Sequence, residues 1–413
     1  MKILVLNSGS SSQKSALFEL EADSPCDHPA APVWEGKLDW DGGKETLGIR
    51  NSRGKKLQAA REAAPEERSG SVRAMLGHLW SGETAVVSSR EEIDLIGHRI
   101  VHGGARLTEP VLVNSEVTEA IARVAEIAPL HNKSGLEGIR IAEALLPGKP
   151  QIAVFDTGFH RTLPPAAVVY PGPYEWLARG IRRYGFHGIN HEYCAKRTAH
   201  ILKRDSSELR IVSCHLGNGC SLAAIAGGRS VDTTMGFTPL EGLMMGTRSG
   251  SIDPGILFHL LRGETASAES LDDSLNHHSG LLGVSGVSSD MRDVLKAAGE
   301  GNARAKLAFD IFVHRLETGI AAMTASLGGV DAVVFTAGIG ENSAEVRRAA
   351  CAKLGFVGIE LDQEKNRSAE PDVDISGADS MVRVLVIRAQ EDWTIAQECV
   401  RLSSHIDAPT RLF

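Results

Sequence analysis

The sequence predicts an α/β protein, because apolar strands alternate along it with amphipathic helices, and polar or glycine residues follow the strands. A pattern of strand, small polar turn and strand also occurs twice, at residues 3–18 and 211–225. Ligands of α/β proteins bind at the carboxyl ends of strands. We therefore expect the residues that follow the strands to carry the chemistry.

The repeated pattern consists of two hairpins with turns of small polar residues. Ile3–Leu6 is followed by Asn7–Lys14, and Ile211–Cys214 by His215–Ser221. Such turns offer backbone N–H groups, hydroxyls and amides to an anion; an ordinary polar hairpin turn is the alternative. Neither is a Walker A loop, because GxxxxGK[ST] is absent and a strand follows each turn. Two halves that bind one polyphosphate indicate a phosphoryl-transfer enzyme.

Length, composition and charge narrow the class of protein. A chain of 413 residues exceeds the size of one hydrophobic core, which predicts two domains. The net charge of −8 argues against nucleic acid or an anionic membrane as a partner. The six cysteines form no CxxC pair, which is typical of reduced thiols. Met1 leads directly into a strand and no apolar run approaches membrane-spanning length, so we expect a cytoplasmic protein.

The first half of the chain carries four predicted elements and one polar strand end. Ser134 and Glu137 form a capping box, so a helix should begin there and end at Pro147. Asp156 follows a buried strand and is either a helix cap or a site carboxylate. The predicted elements are an exposed helix within Lys55–Arg73, a strand over Ile93–His102, the helix after Ser134 and a strand over Gln151–Phe155.

The second half carries the longest predicted helix. Its apolar stripe consists of Leu307, Ile311, Leu316, Ile320 and Met323. The predicted elements are that helix over Ala303–Ala325, a strand over Asp331–Phe335, a turn over Thr336–Asn342, a strand over Val382–Ile387 and a helix over Asp392–Leu402.

The segment Ala337–Ser343 partly matches the dinucleotide fingerprint GxGxxG. Ser343 stands in the third glycine position and Glu360 follows at a suitable distance, so a Rossmann site is one interpretation. The segment lies late in the chain, however, in the half that already has a phosphate turn. A nucleotide of the adenosine type beside Gly338 and Asn342 fits better.

Two arginines lie in glycine-rich segments. Arg99 stands in GHRIVHGG and Arg248 in GTRSGSIDPG. A solvated surface arginine is the alternative for either one. Arginine in such a loop can bind a carboxylate bidentately and offset charge on a phosphoryl group during transfer.

His187 and His191 have the i, i+4 spacing of zinc ligands. HEXXH is not satisfied, because Gly188 follows His187, and no third ligand has a recognisable spacing. We therefore favour His187 as a hydrogen-bond donor to phosphate, with zinc as the weaker interpretation.

Together these segments resemble the acetate kinase family of short-chain acyl kinases. The matching segments occur in the family's order over nearly the whole chain, with residues 21–92 the loosest part. They are NSGSSSQK, GHRIVHGG, PLHN, VFDTGFH, RRYGFHG, HLGNGCS, MGFTPLEGLMMGTRSG, AGIGENS and RAQED.

The resemblance implies duplicated actin-like ATPase (ribonuclease H-like) domains that flank an active-site cleft. Residues 1–156 with 392–413 would form the acyl and metal side, and residues 157–391 the nucleotide-binding domain. It also implies ATP or ADP as cosubstrate, Mg²⁺ with Mn²⁺ as a substitute, and a homodimer.

The resemblance further assigns roles to particular residues. The implied catalytic residues are Asp156, His187, Arg248 and Arg99, the last also contacting the acyl carboxylate. The implied metal residues are Asn7 and Glu391. The implied acyl pocket consists of Val101, Leu130, His131, Phe186 and Pro239 together with Arg99. The implied phosphate and nucleotide contacts are Ser10, Ser12, Lys14, His215, Leu216, Gly217, Asn218, Gly219, Asp290, Met291, Arg292, Gly338, Ile339, Gly340, Glu341 and Asn342.

The chain departs from the family's usual motifs at three places. Lys133–Gly135 replaces Pro-Ala-Asn after Asn132, Ile189-Asn190 replaces Thr-Ser before His191, and Gln390–Trp393 replaces Asn-Glu-Glu-Leu. None of these departures removes a residue assigned to catalysis.

The implied reaction is reversible in-line transfer of the ATP γ-phosphoryl group to acetate, which gives acetyl phosphate and ADP. A carboxylate is already ionised, so alignment and charge neutralisation are the main requirements. Val101 should favour a methyl group, with propionate or another short-chain acid as the alternative substrate. A non-catalytic actin-like ATPase and a zinc hydrolase are the alternatives from other classes.

Overall fold

The structure, a computed structural model, describes residues 1–9, 12–21, 29–41, 43–64, 67–125, 129–263 and 266–406. It divides into two compact units, Met1–Gly158 with Gln390–Phe413, and Phe159–Ala389. These boundaries lie two residues from the predicted ones. Glu391, expected on the nucleotide side, consequently belongs to the first unit.

The first unit is built on an eight-stranded sheet with the order β5-β4-β3-β2-β1-β6-β8-β7. Its strands are β1 (Lys2–Ser8), β2 (Ser12–Glu19), β3 (Trp34–Asp41), β4 (Lys44–Asn51), β5 (Lys56–Glu62), β6 (Leu95–Ile100), β7 (Val111–Leu112) and β8 (Gln151–Phe155). Its helices, numbered in chain order over both units, are α1 (Arg68–Gly77), α2 (Ser115–Val124), α3 (Pro129–Leu145) and α15 (Glu391–Ile406).

The centre of this sheet brings polar strand ends together. β1 pairs antiparallel with β2 and parallel with β6, and β6 pairs parallel with β8. The residues Ile3–Leu6 of β1 are buried and anchor the sheet in the core. Asn7 is opposite Arg99 in the β1–β6 register, and Asp156 directly follows β8. Parallel pairing therefore places all three side chains at one edge of the sheet.

Two predictions for the first unit are wrong. The helix predicted from Ser134 begins at Pro129, because proline suits the first helical position and Ser134 lies inside the helix. The polar segment predicted as an exposed helix contains strand β5, which pairs with β4 from Lys56 to Glu62. Its helical part, α1, begins only at Arg68.

The second unit is built on a six-stranded sheet with the order β11-β10-β9-β12-β14-β13. Its strands are β9 (Arg210–Leu216), β10 (Cys220–Ala226), β11 (Arg229–Thr233), β12 (Ala332–Thr336), β13 (Val373–Asp374) and β14 (Arg383–Val386). Its helices are α4 (Pro165–Val168), α5 (Glu175–Ala178), α6 (Gly188–Leu202), α7 (Pro254–Arg262), α8 (Ala268–His277), α9 (Gly280–Ser285), α10 (Met291–Gly299), α11 (Ala303–Leu327), α12 (Ala337–Asn342), α13 (Ala344–Cys351) and α14 (Gln363–Arg367).

The two sheets repeat one topology. In each, a central strand (β1 or β9) pairs antiparallel with the next strand of its hairpin and parallel with a later strand. Each hairpin continues into a third antiparallel strand, β3 or β11. On the other side, each parallel pair is followed by a further parallel strand, β8 or β14, and then by an antiparallel edge strand, β7 or β13. The repeated hairpins of the sequence are therefore equivalent parts of a duplicated fold.

Helix α11 matches its prediction closely, with one error. It extends to Leu327, where Gly328 adopts a left-handed conformation that ends it. Leu307, predicted on the buried stripe, is 52% exposed. It precedes the buried Leu316 by nine residues, which places it on the opposite face at about 100° per residue.

The segment predicted as a turn after β12 is the short helix α12. Among the helices that the structure describes, none combines the length and apolar character required to cross a membrane.

Candidate active site

The first unit joins Arg99 and Asp156 in an ion pair at the ends of β6 and β8. Nη2 of Arg99 donates to Oδ2 of Asp156 at 2.6 Å, and Nε lies 3.1 Å from both carboxylate oxygens. Nη1 donates to Oδ1 of Asn7 at 3.1 Å. A guanidinium has five N–H groups, so these contacts leave one on each terminal nitrogen. Such a pair can bind a ligand carboxylate bidentately.

Burial opposes the charge on Arg99, but its acidic neighbours overcome this effect. Asp156 and Glu391 raise the pKa of the guanidinium despite desolvation. Arg99 is therefore a fixed cation, and Asp156, which is 1% exposed, sets its orientation.

Two acidic residues at the start of α15 complete this set. Nδ2 of Asn7 donates to Oε2 of Glu391 at 3.1 Å and to Oδ1 of Asp392 at 2.9 Å. Burial raises the pKa of Asp392, and neighbouring Glu391 adds to the effect. Sequence reasoning missed Asp392, although its place beside Glu391 in the first turn of a helix was a usable signal.

The donors around Asn7 fit a hard cation. Asp156, Glu391 and Asp392 are three carboxylates that lie close to Arg99 and Asn7. Carboxylate and amide oxygens suit Mg²⁺, which typically binds through one or two carboxylates, substrate phosphates and water. Within the described ranges, no group of three or more histidine, cysteine or acidic residues could hold a metal unaided. A metal shared with phosphate is thus the type of site that these residues fit.

Lys14 lies beside this set on β2, opposite Asn7. Its exposed side chain and Asp392 line a cavity of about 510 Å³ over the outer face of β3–β5. Ser12 begins β2, and its carbonyl accepts from Gly9 N–H at 2.8 Å. Ser10 lies outside the described residues.

The predicted acyl-pocket residues are distributed over both units. Val101, directly after β6, is buried. Phe186 and Pro239 are buried in the second unit. Leu130 and His131 lie in α3, but their side chains are outside the part that the structure describes.

The second unit brings His187, His215 and Arg248 together around Gly219. His187 is the N-cap of α6 in a left-handed conformation (φ 56°), which is rare for a residue with a side chain. Its ring stacks on His215 with centroids 3.9 Å apart. A Cβ at Gly219 would lie 3.4 Å from Nε2 of His187 and 3.6 Å from Nη1 of Arg248. Two nitrogen donors therefore face one small space that a side chain at Gly219 would fill.

Arg248 is suited to an anionic ligand because its own contacts carry no formal charge. Nη1 donates to the carbonyl of Pro239 at 3.2 Å, and burial lowers the pKa of the guanidinium. Within the described ranges no carboxylate forms a salt bridge with it. A buried guanidinium without a counter-ion favours an incoming anion.

A cavity of about 620 Å³ follows the β9–β10 turn, a volume that suits a nucleotide. The predicted nucleotide residues that line it are Gly217, Asn218, Asp290, Met291, Arg292, Gly338, Ile339 and Asn342. Sequence reasoning missed three further lining residues, Ser289, Leu295 and Ser343. The predicted residues that do not line it are His215, Leu216, Gly219, Gly340 and Glu341.

Arg347 is a buried arginine that holds one wall of this cavity. It was not predicted from the sequence. Arg347, which is 2% exposed, donates to the carbonyls of Gly340 and Glu341 at the end of α12. It also donates to Oδ1 and the carbonyl of Asn366 in α14. Burial lowers its pKa to about 10. Arg347 therefore fastens α12, which lines the cavity, to α14.

The geometry of His191 is incompatible with the zinc interpretation. Both of its ring nitrogens are hydrogen-bonded to serine hydroxyls, Nδ1 to Ser213 at 2.9 Å and Nε2 to Ser221 at 2.8 Å. The ring is fully buried, so it presents no nitrogen to a metal beside His187.

Known proteins share this architecture over nearly its full length. The sequence matches the Acetokinase family over residues 2–397. An acetate kinase of Gloeobacter violaceus is 57% identical, over 97% of this chain and 98% of that protein. The crystal structure of Porphyromonas gingivalis acetate kinase matches with a TM-score of 0.87 and 38% identity, over 97% of this chain and 99% of that one. The crystal structure of a propionate kinase from Francisella tularensis matches with a TM-score of 0.85 and 37% identity, over 96% of this chain and 98% of that one.

These matches and the repeated sheets define a protein of the duplicated actin-like ATPase fold, which confirms the predicted fold class. The chain belongs to the acetokinase family.

Proposed function

We propose that this protein is a kinase that transfers the γ-phosphoryl group of ATP reversibly to acetate, giving acetyl phosphate and ADP. Family membership supports the reaction class. The observation that carries the proposal is the space beside Gly219. His187 faces it together with Arg248, which forms no salt bridge with any carboxylate in the described part of the chain. Preorganised donors at such a point stabilise charge that develops on a phosphoryl group.

In the first unit, Arg99 binds the acid. Its two remaining N–H groups match the two oxygens of a carboxylate, and Asp156 holds the guanidinium in place. The carboxylate of the substrate is ionised at neutral pH, so no general base is needed. Lys14 and Ser12 contact phosphate on the same side.

Asn7, Glu391 and Asp392 would hold Mg²⁺, or Mn²⁺ in its place. The bound ion supplies neutralisation of phosphate charge. The protein's own side chains supply the rest of the charge stabilisation. Arg248 and His187 donate hydrogen bonds to the oxygens of the phosphoryl group during its transfer. The cavity lined by Gly217, Asn218 and the first turn of α10 binds the nucleotide.

Acetate is the preferred acid because Val101, a buried β-branched residue, leaves room for little more than a methyl group in the acyl pocket. One extra methylene is worth about 1–3 kcal/mol of discrimination, so propionate is a slower substrate. The two solved structures do not decide this point, since an acetate kinase and a propionate kinase match at nearly equal identity.

We further propose that the protein is a cytoplasmic homodimer. Helix α7 exposes Ile256, Phe258 and Leu261, and none of its residues is buried. A second copy that covers this face would remove apolar surface from water. The five cysteines in the described part are free thiols, which fits a reducing compartment.

A hydroxamate assay for acyl phosphate tests the function directly. The purified protein is incubated with Mg-ATP and with acetate, propionate, butyrate or no acid. We expect product with acetate, less with propionate and none without acid. ATP hydrolysis without acyl phosphate would instead identify a non-catalytic or chaperone-like ATPase of the same fold. Light scattering of the same sample gives the oligomeric state.

A further inference from the structure

A chain of buried hydrogen bonds leads away from His187 into the core of the second unit. Nδ1 of His187 lies 2.9 Å from Oγ of Ser221, and the same oxygen lies 2.8 Å from Nε2 of His191. Nδ1 of His191 lies 2.9 Å from Oγ of Ser213. Ser213, Ser221 and His191 are 0% exposed. Water therefore does not supply alternative partners to the inner members of the chain.

Two arrangements of the protons let Ser221 donate one of its two hydrogen bonds and accept the other. Burial lowers the pKa of His191 well below its usual value, so its ring is neutral and carries one N–H. In the first arrangement, Ser213 donates to His191, His191 Nε2–H donates to Ser221, and Ser221 donates to Nδ1 of His187. In the second, every direction is reversed, and Nδ1–H of His187 donates to Ser221.

The surroundings of His187 disfavour a second proton on its ring, and only the first arrangement gives the neutral ring an N–H on Nε2. His187 stands at the N-cap position of α6, where the helix dipole disfavours a cation. Among the described residues, the charged or titratable groups seen to face it include Arg248, beside the same space at Gly219, and His215, stacked on it. Asn190 Nδ2 donates to Nδ1 of His215, which leaves that ring's proton on Nε2. His160, edge-on to His191, is also held neutral by burial, with its pKa lowered to about 4.

We propose that Ser221 and His191 are positioning residues that hold His187 as its neutral Nε2–H tautomer. In that form His187 donates a hydrogen bond to the transferring phosphoryl group without first binding a proton. No proton is transferred between residues, because this series of hydrogen bonds sets only which atom donates and which accepts. This inference rests on the proposed function, which gives Nε2 of His187 a phosphoryl oxygen to bind.

Nitrogen NMR of the full-length protein tests the tautomer without any need for activity. Histidine ring nitrogens are labelled with ¹⁵N, and His187→Gln identifies the His187 signals. We expect Nε2 protonated and Nδ1 unprotonated from about pH 6 to 8, a range in which a free imidazole with its pKa near 6.5 changes charge. A proton on Nδ1, in either the reversed tautomer or the imidazolium, would overturn the proposal.

Kinetics of Ser221→Ala test the consequence. Without the hydroxyl, the neutral ring can adopt either tautomer, whereas the imidazolium always carries an N–H on Nε2. We expect kcat to fall on the order of tenfold at about pH 8, with a smaller loss at about pH 5.5 and little change in either KM. Ser221→Thr, which keeps the hydroxyl, should recover most of the loss.

Ser230→Ala is the matched control. Its hydroxyl is also buried and lies 2.8 Å from a histidine nitrogen, Nδ1 of His160, but it is outside the chain to His187. An equal kcat loss in Ser230→Ala, or a Ser221→Ala loss that is the same at every pH, would refute the proposal. If the wild-type protein makes no acyl phosphate, the proposed function fails, while the NMR result still decides the tautomer.

Discussion

Asp156 fixes the orientation of Arg99 through a side-on ion pair at the ends of two neighbouring parallel strands. The pair is asymmetric: Asp156 is 1% exposed, whereas Arg99 is 16% exposed and has N–H groups left for a ligand. The aspartate is therefore the buried support and the arginine the contact residue.

We expect Asp156→Asn to lower both kcat and stability. The amide keeps the shape of the carboxylate but leaves the Arg99 cation poorly compensated, which typically costs about 3–5 kcal/mol for a buried pair. Catalysis should fall at least on the order of 10²-fold because Arg99 loses its fixed orientation. Chemical denaturation and the acyl phosphate assay measure the two effects.

The control for this variant is Glu345→Gln, which breaks an exposed pair with Arg348. It should change stability by less than about 1 kcal/mol and leave kcat unchanged. Wild-type turnover in a folded Asp156→Asn protein would contradict the role of the ion pair.

Arg248→Ala should reduce kcat by roughly 10²–10³-fold with little change in the KM for ATP. The reason is that its guanidinium faces the space at Gly219, where we propose that charge develops only during transfer. Arg348→Ala, an exposed arginine of the same unit, is the control. A folded Arg248→Ala variant with near wild-type kcat would remove Arg248 from the reaction.

Val101→Ala should shift the preference from acetate toward propionate. Removing two methyl groups from a buried wall makes room for one methylene, and the ratio of kcat/KM values should change by about 10-fold or more. Val117→Ala, a similarly buried valine of α2, controls for general loosening. If both variants shift the ratio equally, Val101 does not form the pocket.

Buried neutral histidines should make the fold sensitive to acid. Burial lowers the pKa of His98 to about 4, although its hydrogen bond to Gln151 opposes the shift. The unfolded chain binds this proton near pH 6.5, so the contribution is complete above that pH and is lost as pH falls toward 4. His98 alone accounts for about 3 kcal/mol of that loss at 1.36 kcal/mol per pH unit.

Denaturant unfolding between about pH 7 and 4 measures this loss. His98→Gln should give a shallower fall in the free energy of unfolding. His314→Gln, at an exposed position of α11, should give the wild-type slope. Equal slopes in all three proteins would show that His98 is not held neutral.

The cluster of polar residues in the first unit was predictable from sequence because these residues follow the strands. Arg99, Asp156 and Asn7 stand at the ends of three apolar strands, and parallel pairing alone brings such ends together. The contacts of Ser221 with His191 and of Arg347 with α12 were not predictable. The first joins residues 30 positions apart, and the second, although local, depends on how α13 packs in the core, which no local pattern encodes.

Strand β5 shows that the fold, too, could be predicted only in part from local sequence. Its residues are polar and mostly exposed, so their pattern indicates a helix, and only pairing with β4 makes them a strand. Asp392 shows it for the site, since Asn7 donates to both Glu391 and Asp392, and the sequence pattern does not reveal that both side chains reach it.

Arg347→Met should weaken nucleotide binding, although Arg347 does not line the cavity. The substitution leaves the carbonyls of Gly340 and Glu341 without their buried donor, at about 1–3 kcal/mol for each such group. Because these carbonyls end the helix that carries Gly338 and Asn342, the cavity wall should loosen. We expect lower stability, a Kd for ADP raised on the order of tenfold, and a smaller effect on kcat.

Calorimetry with Arg347→Met, and with Arg348→Ala as the neighbouring exposed control, separates this effect from loss of charge on the helix. An unchanged Kd for ADP in folded Arg347→Met would mean that α12 keeps its position without the arginine.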